Sequence, residues 1–308
     1  GLVSKECPHR LADLWYGRNE EAGLRCTYHG WKFDTTGKCI DMPSEHRESN
    51  FKDKVRLTGY PVEERGGILF TYMGPPEFTP EVPQFEWMNV PAGHRFSSWN
   101  QQECNYAQAI EGGIDTVHSV YLHSTMESHR NRDEWQETGK QQANPRLRFR
   151  TDDNPPRLQT HNTDYGIVVG SKYNGAEGVD YWRFNLFWMP FWTAPPGSKN
   201  HKSIHAFVPI DDENTMRWTF TMSDTPIPLR EMAAMRKGAG LHSEVYPGTH
   251  QATHNKRNHY QIDREMQRQE TYTGIKDFGA QDYSVQEGMG VISNRTREHL
   301  ATTDIGII

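Results

Sequence analysis

Short apolar runs cut by Gly, Asp, Asn and Pro fill the chain from Cys7 to about Met73, as at residues 32–40 and 67–73. Runs of that length and punctuation predict small antiparallel β structure. Five prolines (75, 76, 80, 83 and 91) then stand among Phe78, Phe85 and Trp87. That aromatic content predicts a linker packed on its neighbours, not a free tether. From Gln101 to about Ser124, the positions Ala107, Ile110, Ile114, Val117 and Tyr121 recur at spacings of three and four, the stripe of a helix. Residues 127–156 are charged and contain proline, which predicts a covering loop. Strand-like runs follow at 165–173, 181–189, 203–209 and 216–222 and predict a second sheet. Helical composition returns at 228–237 and 277–289, and 298–308 predicts the start of one more element. The fold class is therefore α+β, with a small all-β domain over 1–92, including its Pro-rich linker 74–92, and a second domain over 93–308.

A length of 308 residues suits two domains. Lys+Arg 34 against Asp+Glu 40 leaves a net charge of −6, so the whole chain offers no basic surplus for phosphates and no nucleic-acid partner is expected. The longest uncharged apolar stretch, 185–198, is broken by Pro190, Pro195 and Pro196 and falls short of the roughly 20 residues of a membrane span. No membrane partner is expected. Four cysteines and no targeting pattern at the start point to a reducing, cytoplasmic setting. The chain opens on Gly1, with Cys7 almost at its start, and closes on Ile308 without a polar tail. A fragment truncated at both ends is expected.

Candidate chemistry begins with Cys7-Pro-His9, sixteen intervening residues, and Cys26-Thr-Tyr-His29. Two thiolates and two imidazoles on two short loops form a soft four-ligand set. A structural Cys2His2 zinc site uses these donors, and so does a Rieske [2Fe–2S] centre, in which two cysteines hold one iron and two histidines the other. The run Cys7-Pro-His-Arg-Leu-Ala-Asp-Leu, with Gly23-Leu-Arg-Cys26-Thr-Tyr-His29-Gly-Trp-Lys-Phe-Asp, resembles the Rieske domain of the ring-hydroxylating non-haem iron oxygenases. Cys39 and Cys104 fall outside the spacing and read as buried small hydrophobes.

In the predicted helix the run NYAQAIEGGIDTVHSVYLH carries Asp115, His118 and His123. Two histidines and a carboxylate are what a 2-His-1-carboxylate iron(II) site requires. Asp115 and His118, at i and i+3, share a helix face. His118 and His123, five apart, point about 140° from each other on a regular helix, so they reach one metal only if the helix widens or ends between them. Gly112 and Gly113 each cost a helix about 1 kcal/mol against alanine, and close approach of another backbone is the expected reason. For a third ligand, chemistry leaves Asp277, Asp282, Glu287 and Asp304 open.

The stretch Glu111-Gly-Gly-Ile-Asp115-Thr-Val-His118-x4-His123 also resembles the iron motif of the same oxygenases. The resemblance implies that Asp115 is a bridging carboxylate linking His118 to a Rieske histidine of a neighbouring subunit. The C-terminal run around Gln281-Asp282 is similar to the phthalate dioxygenase branch, which selects Asp282 as the third ligand. Also implied are a helix-grip catalytic domain, one [2Fe–2S] cluster, one mononuclear Fe(II) with O2 as co-substrate, and a homotrimer or stacked hexamer. The branch suggests an aromatic substrate, expected to be an aromatic acid dihydroxylated in the phthalate 4,5-dioxygenase manner. The alternative with the same ligands is a monooxygenase or O-demethylase.

The segment 181–189 alternates as a strand, with Tyr181, Arg183, Asn185 and Phe187 on one face. If that face lines a cavity, Arg183 can grip a carboxylate with its planar fork; otherwise it lies along an outer sheet face. Arg217 is a second candidate of the same kind. No G-x-G-x-x-G run or flavin signature is present, so a separate flavin/iron-sulfur reductase is expected to supply electrons. A colourless zinc-stabilised binding protein is the rival from another class.

Overall fold

A computed structural model describes residues 1–126, 155–175, 178–198 and 200–308, so the loop expected at 127–156 lies almost wholly outside the described residues. The chain divides into two compact units, Gly1–Val90 and Pro91–Ile308.

Two- to four-residue strands build the first unit: β1 (Leu2–Val3), β2 (Arg18–Glu20), β3 (Gly23–Arg25), β4 (Lys32–Phe33), β5 (Cys39–Asp41), β6 (Gly59–Tyr60), β7 (Val62–Arg65) and β8 (Ile68–Thr71). They form an antiparallel sheet β2-β3-β4-β5, a β1-β6 pair and a β7-β8 hairpin. Gly66 and Gly67 turn that hairpin with φ of +62° and +85°, the left-handed pair that a two-residue connection favours. Cys7, Leu14, Cys26, Trp31, Phe33, Cys39, Met42 and Leu57 make a single small core. Cys39 is fully buried in it. The proline-rich segment packs as expected: Trp87 is buried against Gly66, where an added Cβ would meet its ring at 2.6 Å.

In the second unit one antiparallel sheet runs β10-β11-β12-β13-β14-β15-β9. Its strands are β9 (Arg95–Gln102), β10 (Arg157–Thr163), β11 (Gly166–Asn174), β12 (Asp180–Trp188), β13 (Trp192–Ala194), β14 (Lys202–Pro209) and β15 (Thr215–Met222). The four predicted runs are β11, β12, β14 and β15. The others escaped the pattern: β10 holds one aliphatic residue, Leu158, and β13 is three residues long. Register places Phe187, Thr193, His205 and Thr219 opposite one another in a row, and Phe207, Arg217 and Asn100 in the next. Directly opposed residues share a face. That face carries the site.

The first helix of this unit is shorter than its apolar stripe suggests. It spans Tyr106–Ile114, and Gln101 and Gln102 belong to β9 instead. The Asn105 side chain caps its start by accepting from the Ala107 N–H. At its end Asp115 leaves the helical region, and its carboxylate accepts from the Val117 N–H at 2.7 Å, a local bond that competes with the helical ladder. This glycine helix packs on β12, β13 and β14. The close approach at its two glycines is by side chains, not by another backbone as expected. A Cβ at Gly112 would lie 2.0 Å from Gln286 Nε2, and one at Gly113 would lie 2.9 Å from Thr193 Oγ1 and 3.0 Å from the Phe207 ring.

The helix Leu229–Arg236 falls within the predicted 228–237, and Phe278–Gln286 followed by a 3-10 turn Glu287–Met289 covers the predicted 277–289. After residue 298 only the 3-10 turn Thr302–Asp304 forms. No described helix is long and apolar enough to cross a membrane.

Candidate metal centres

Two loops of matching construction present Cys7, His9, Cys26 and His29. In each, the cysteine N–H donates to the carbonyl five residues on (Ala12, 2.9 Å; Trp31, 2.8 Å), and its carbonyl accepts the N–H four residues on (Leu11, 2.8 Å; Gly30, 3.0 Å). Leu11 and Gly30 take the same left-handed φ, +60° and +79°. Each loop thereby turns a thiol and an imidazole toward the other. The sulfurs are 1% and 3% exposed by residue; burial first, and then the neighbouring Cys26, push the Cys7 thiol up to about 11. The His9 and His29 rings meet edge to face at 4.3 Å, and His9 stacks on Trp31 at 4.4 Å.

The Nδ1 atoms of both histidines are buried without a hydrogen-bond partner. Buried nitrogens lacking partners are costly, and two of them beside two buried thiols fit a metal cluster. Among the described residues, the only three-donor group whose ligand atoms lie within 4.8 Å of one another is His118, His123 and Asp282. A two-iron cluster spreads its ligands over two metals.

The second group forms where the glycine helix has ended. His118 opens a 3-10 turn, His118–Val120, and His123 follows it. With the helix finished at Ile114, the five-residue spacing no longer drives the rings apart. The two Nε2 atoms converge on Asp282 Oδ1, from His118 at 3.6 Å and from His123 at 3.3 Å. The opposite nitrogens are held from behind: His118 Nδ1 lies 3.4 Å from Asp115 Oδ2, and His123 Nδ1 lies 2.7 Å from Gln281 Oε1. Phe278 stacks on the His123 ring at 3.8 Å.

Burial works to raise the Asp282 carboxyl, but the hydrogen bond and charge of His123, with the charges of His118 and Arg217, outweigh it and hold it below the ordinary carboxylate range. Asp115 behaves likewise: burial opposes its charge, while His118 and the Val117 and His118 N–H groups favour it. A charged carboxylate between two imidazoles is the donor set that a 2-His-1-carboxylate iron site would use.

The other carboxylates are used elsewhere. Asp277 caps the helix Phe278–Gln286 by accepting from the Ala280 N–H at 2.7 Å. Glu287 is buried and accepts from the Tyr260 hydroxyl at 2.6 Å, and Asp304 accepts from the Ala301 N–H.

Both arginines on the predicted sheet face line one cavity of about 290 Å³ together with Asp115, His118, His123 and Asp282. The Arg183 Nε is buried there without a partner among the described residues. Arg217 is more committed: it donates to the Tyr283 hydroxyl and to the Leu241 carbonyl at 3.1 Å. His205 also lines the wall. Burial first, then the Arg217 charge, keep it neutral, well below the usual histidine range. The sequence pattern assigned no role to Phe278 or His205, and it used Gln281 only as the neighbour that marks Asp282. Phe278 stands at i−4 from Asp282 and i−3 from Gln281, one turn from each on the helix, and His205 alternates with Phe207 on β14.

Residues 2–61 match the Rieske [2Fe-2S] domain family, and residues 71–308 match a family described as LigXa C-terminal domain like. The chain belongs to the Rieske oxygenases, as an oxygenase large subunit. It is an oxidoreductase whose cofactors are one [2Fe–2S] cluster and one mononuclear iron. Over its whole length it is 34% identical to the 3-chlorobenzoate-3,4-dioxygenase oxygenase subunit of Comamonas testosteroni, covering 72% of that protein. It is 33% identical to the phthalate 4,5-dioxygenase oxygenase subunit of Pseudomonas putida, covering 70%, and 29% identical to the 5,5'-dehydrodivanillate O-demethylase oxygenase subunit of a Sphingobium species, covering 64%. Dicamba monooxygenase bound to dicamba shares the fold of this Rieske oxygenase, with a TM-score of 0.64 at 17% identity over 99% of this chain and 82% of that one.

Proposed function

We propose that this chain hydroxylates an aromatic acid, holding the cluster through Cys7, His9, Cys26 and His29 and the iron through His118, His123 and Asp282. The observation that carries this reading is the meeting of the three ligand side chains and Arg183 on the wall of one cavity. When bound, the two metal groups supply one-electron transfer and dioxygen chemistry. The protein's own part is positional. Asp115 and Gln281 orient the two imidazoles, and Asp282 stays charged at neutral pH. The Arg183 guanidinium offers a planar fork to a substrate carboxylate, while Arg217, tied to Tyr283 and Leu241, sets the electrostatic potential of the wall and not the grip. The chain works in the cytoplasm with a separate flavin/iron-sulfur reductase and as a homotrimer or stacked hexamer.

A second reading, one-atom insertion leading to O-demethylation, uses the same residues and is favoured by the O-demethylase relative. Labelled O2 separates the two, since two labelled atoms in one product mark dihydroxylation and one marks monooxygenation. For the site itself, His123→Ala removes about one iron per chain while the visible spectrum of the cluster persists. Unchanged iron content with continued turnover refutes this ligand set.

A further inference from the structure

We infer that Gln281 is a positioning residue of the metal centre, whose side-chain amide fixes the tautomer and orientation of His123. This role rests on the ligand set proposed above. The contact is short, 2.7 Å from Gln281 Oε1 to His123 Nδ1. Which end of the amide faces the ring is set from outside the site, because Gln281 Nε2 donates to the Ile275 carbonyl at 2.8 Å. A carbonyl oxygen only accepts, so the amide nitrogen must face Ile275 and the amide oxygen must face His123. That oxygen also only accepts, so the imidazole proton resides on Nδ1. The lone pair is then on Nε2, the atom 3.3 Å from Asp282.

Gln281 is buried, 6% exposed, so its amide makes these bonds largely shielded from solvent. Its own N–H returns to the Asp277 carbonyl at 3.2 Å, at the start of the helix that also carries Asp282. Phe278, one turn earlier, stacks on the ring at an interplanar angle of 14°. The aromatic face thus holds the plane of the imidazole, and the amide holds its rotation within that plane.

The two histidines are supported differently. His118 has a carboxylate behind it and His123 a neutral amide. A carboxylate raises the basicity of a ligand imidazole. An amide fixes the proton without adding a second buried anion behind the ligands of one ion.

The test uses the cluster-containing protein stripped of mononuclear iron, with Co(II) binding measured by equilibrium dialysis and metal analysis. Gln281→Leu fills the same space without an acceptor, and its affinity for Co(II) falls by about 10- to 100-fold, the range found for lost outer partners of metal histidines. Gln281→Glu keeps an acceptor for His123 Nδ1 while losing the donor to Ile275, so it binds Co(II) more tightly than Gln281→Leu though less tightly than the native protein. The thermal midpoint of the metal-free protein separates positioning from folding, because a purely structural role lowers that midpoint in both variants and does not distinguish them in affinity. His123→Ala is the reference. If it still binds Co(II) at this site, the ligand set itself is wrong. If it loses the ion while Gln281→Leu binds within twofold of native, or Gln281→Glu binds as weakly as Gln281→Leu, the role assigned to Gln281 is overturned.

Discussion

At the scale of single residues, Arg183 carries the sharpest expectation. Its Nε is buried without a partner among the described residues, and leaving a charged donor unpaired costs more than pairing it with a substrate anion. Replacing Arg183 with Gln should therefore weaken binding of an aromatic acid of the proposed class, with benzoate as the probe and calorimetry as the measurement, by roughly 10- to 100-fold, the equivalent of a charge-assisted hydrogen bond. The methyl ester should lose little. Equal losses for acid and ester would remove the carboxylate grip from the account. The two Cys/His pairs and the histidine pair were legible in the sequence as candidate ligands because their spacing is local. The third candidate was not, since Asp277, Asp282 and Glu287 are chemically alike and only tertiary position separates them. One caps a helix, one faces the histidines, and one is buried against Tyr260. The family resemblance chose among them where chemistry could not.

At the scale of elements, hydrophobic alternation found four of the seven strands of the large sheet and missed the eight-residue β9, and a polar residue ended the glycine helix early. Asp115 ended a helix whose apolar stripe continues to Tyr121, because its carboxylate bonded forward to Val117. That early end is also what lets His118 and His123 converge.

A different polar side chain joins the sheet strands. His242 bonds Ser98 on β9 through Nδ1 at 2.7 Å and Thr221 on β15 through Nε2 at 2.9 Å. Burial, then the charges of Arg217 and His201, lower it from 6.5 to about 3. A histidine lowered by folding binds its proton first in the unfolded chain. Its contribution is complete above about 6.5 and is lost as the pH falls toward 3, at on the order of 1 kcal/mol per pH unit. Buried His205 shifts in the same direction. Denaturant midpoints should thus fall between pH 7.5 and 5.5. His242→Gln should start lower at pH 7.5 and fall less steeply. A native protein with no acid slope in this range would contradict the neutral, buried assignment.

At the scale of the whole molecule, the question is how two centres held by separate units of one chain exchange electrons. The family resemblance implied that Asp115 meets a histidine of a neighbouring copy, and a lone buried carboxylate would need such a partner. The structure removes that need, since the carboxylate already accepts from the Val117 N–H at 2.7 Å and lies 3.4 Å from His118 Nδ1. What remains is its position. It is tied through Oδ1 to backbone and through Oδ2 to a proposed iron ligand, and its charge is favoured over the neutral form. A carboxylate so placed extends the iron site by one hydrogen-bond acceptor toward any donor that docks beside His118. In the proposed oligomer that donor is a cluster histidine of a neighbouring copy. Asp115→Asn keeps the shape and the bond from Val117 but removes the charge. The expected outcome is full occupancy of both metals, an unchanged oligomer by light scattering, and a fall of orders of magnitude in electron transfer from reduced cluster to iron during single-turnover mixing. Native-rate transfer in that variant, or full activity retained by a dilute monomer, would rule out a route through Asp115 between copies.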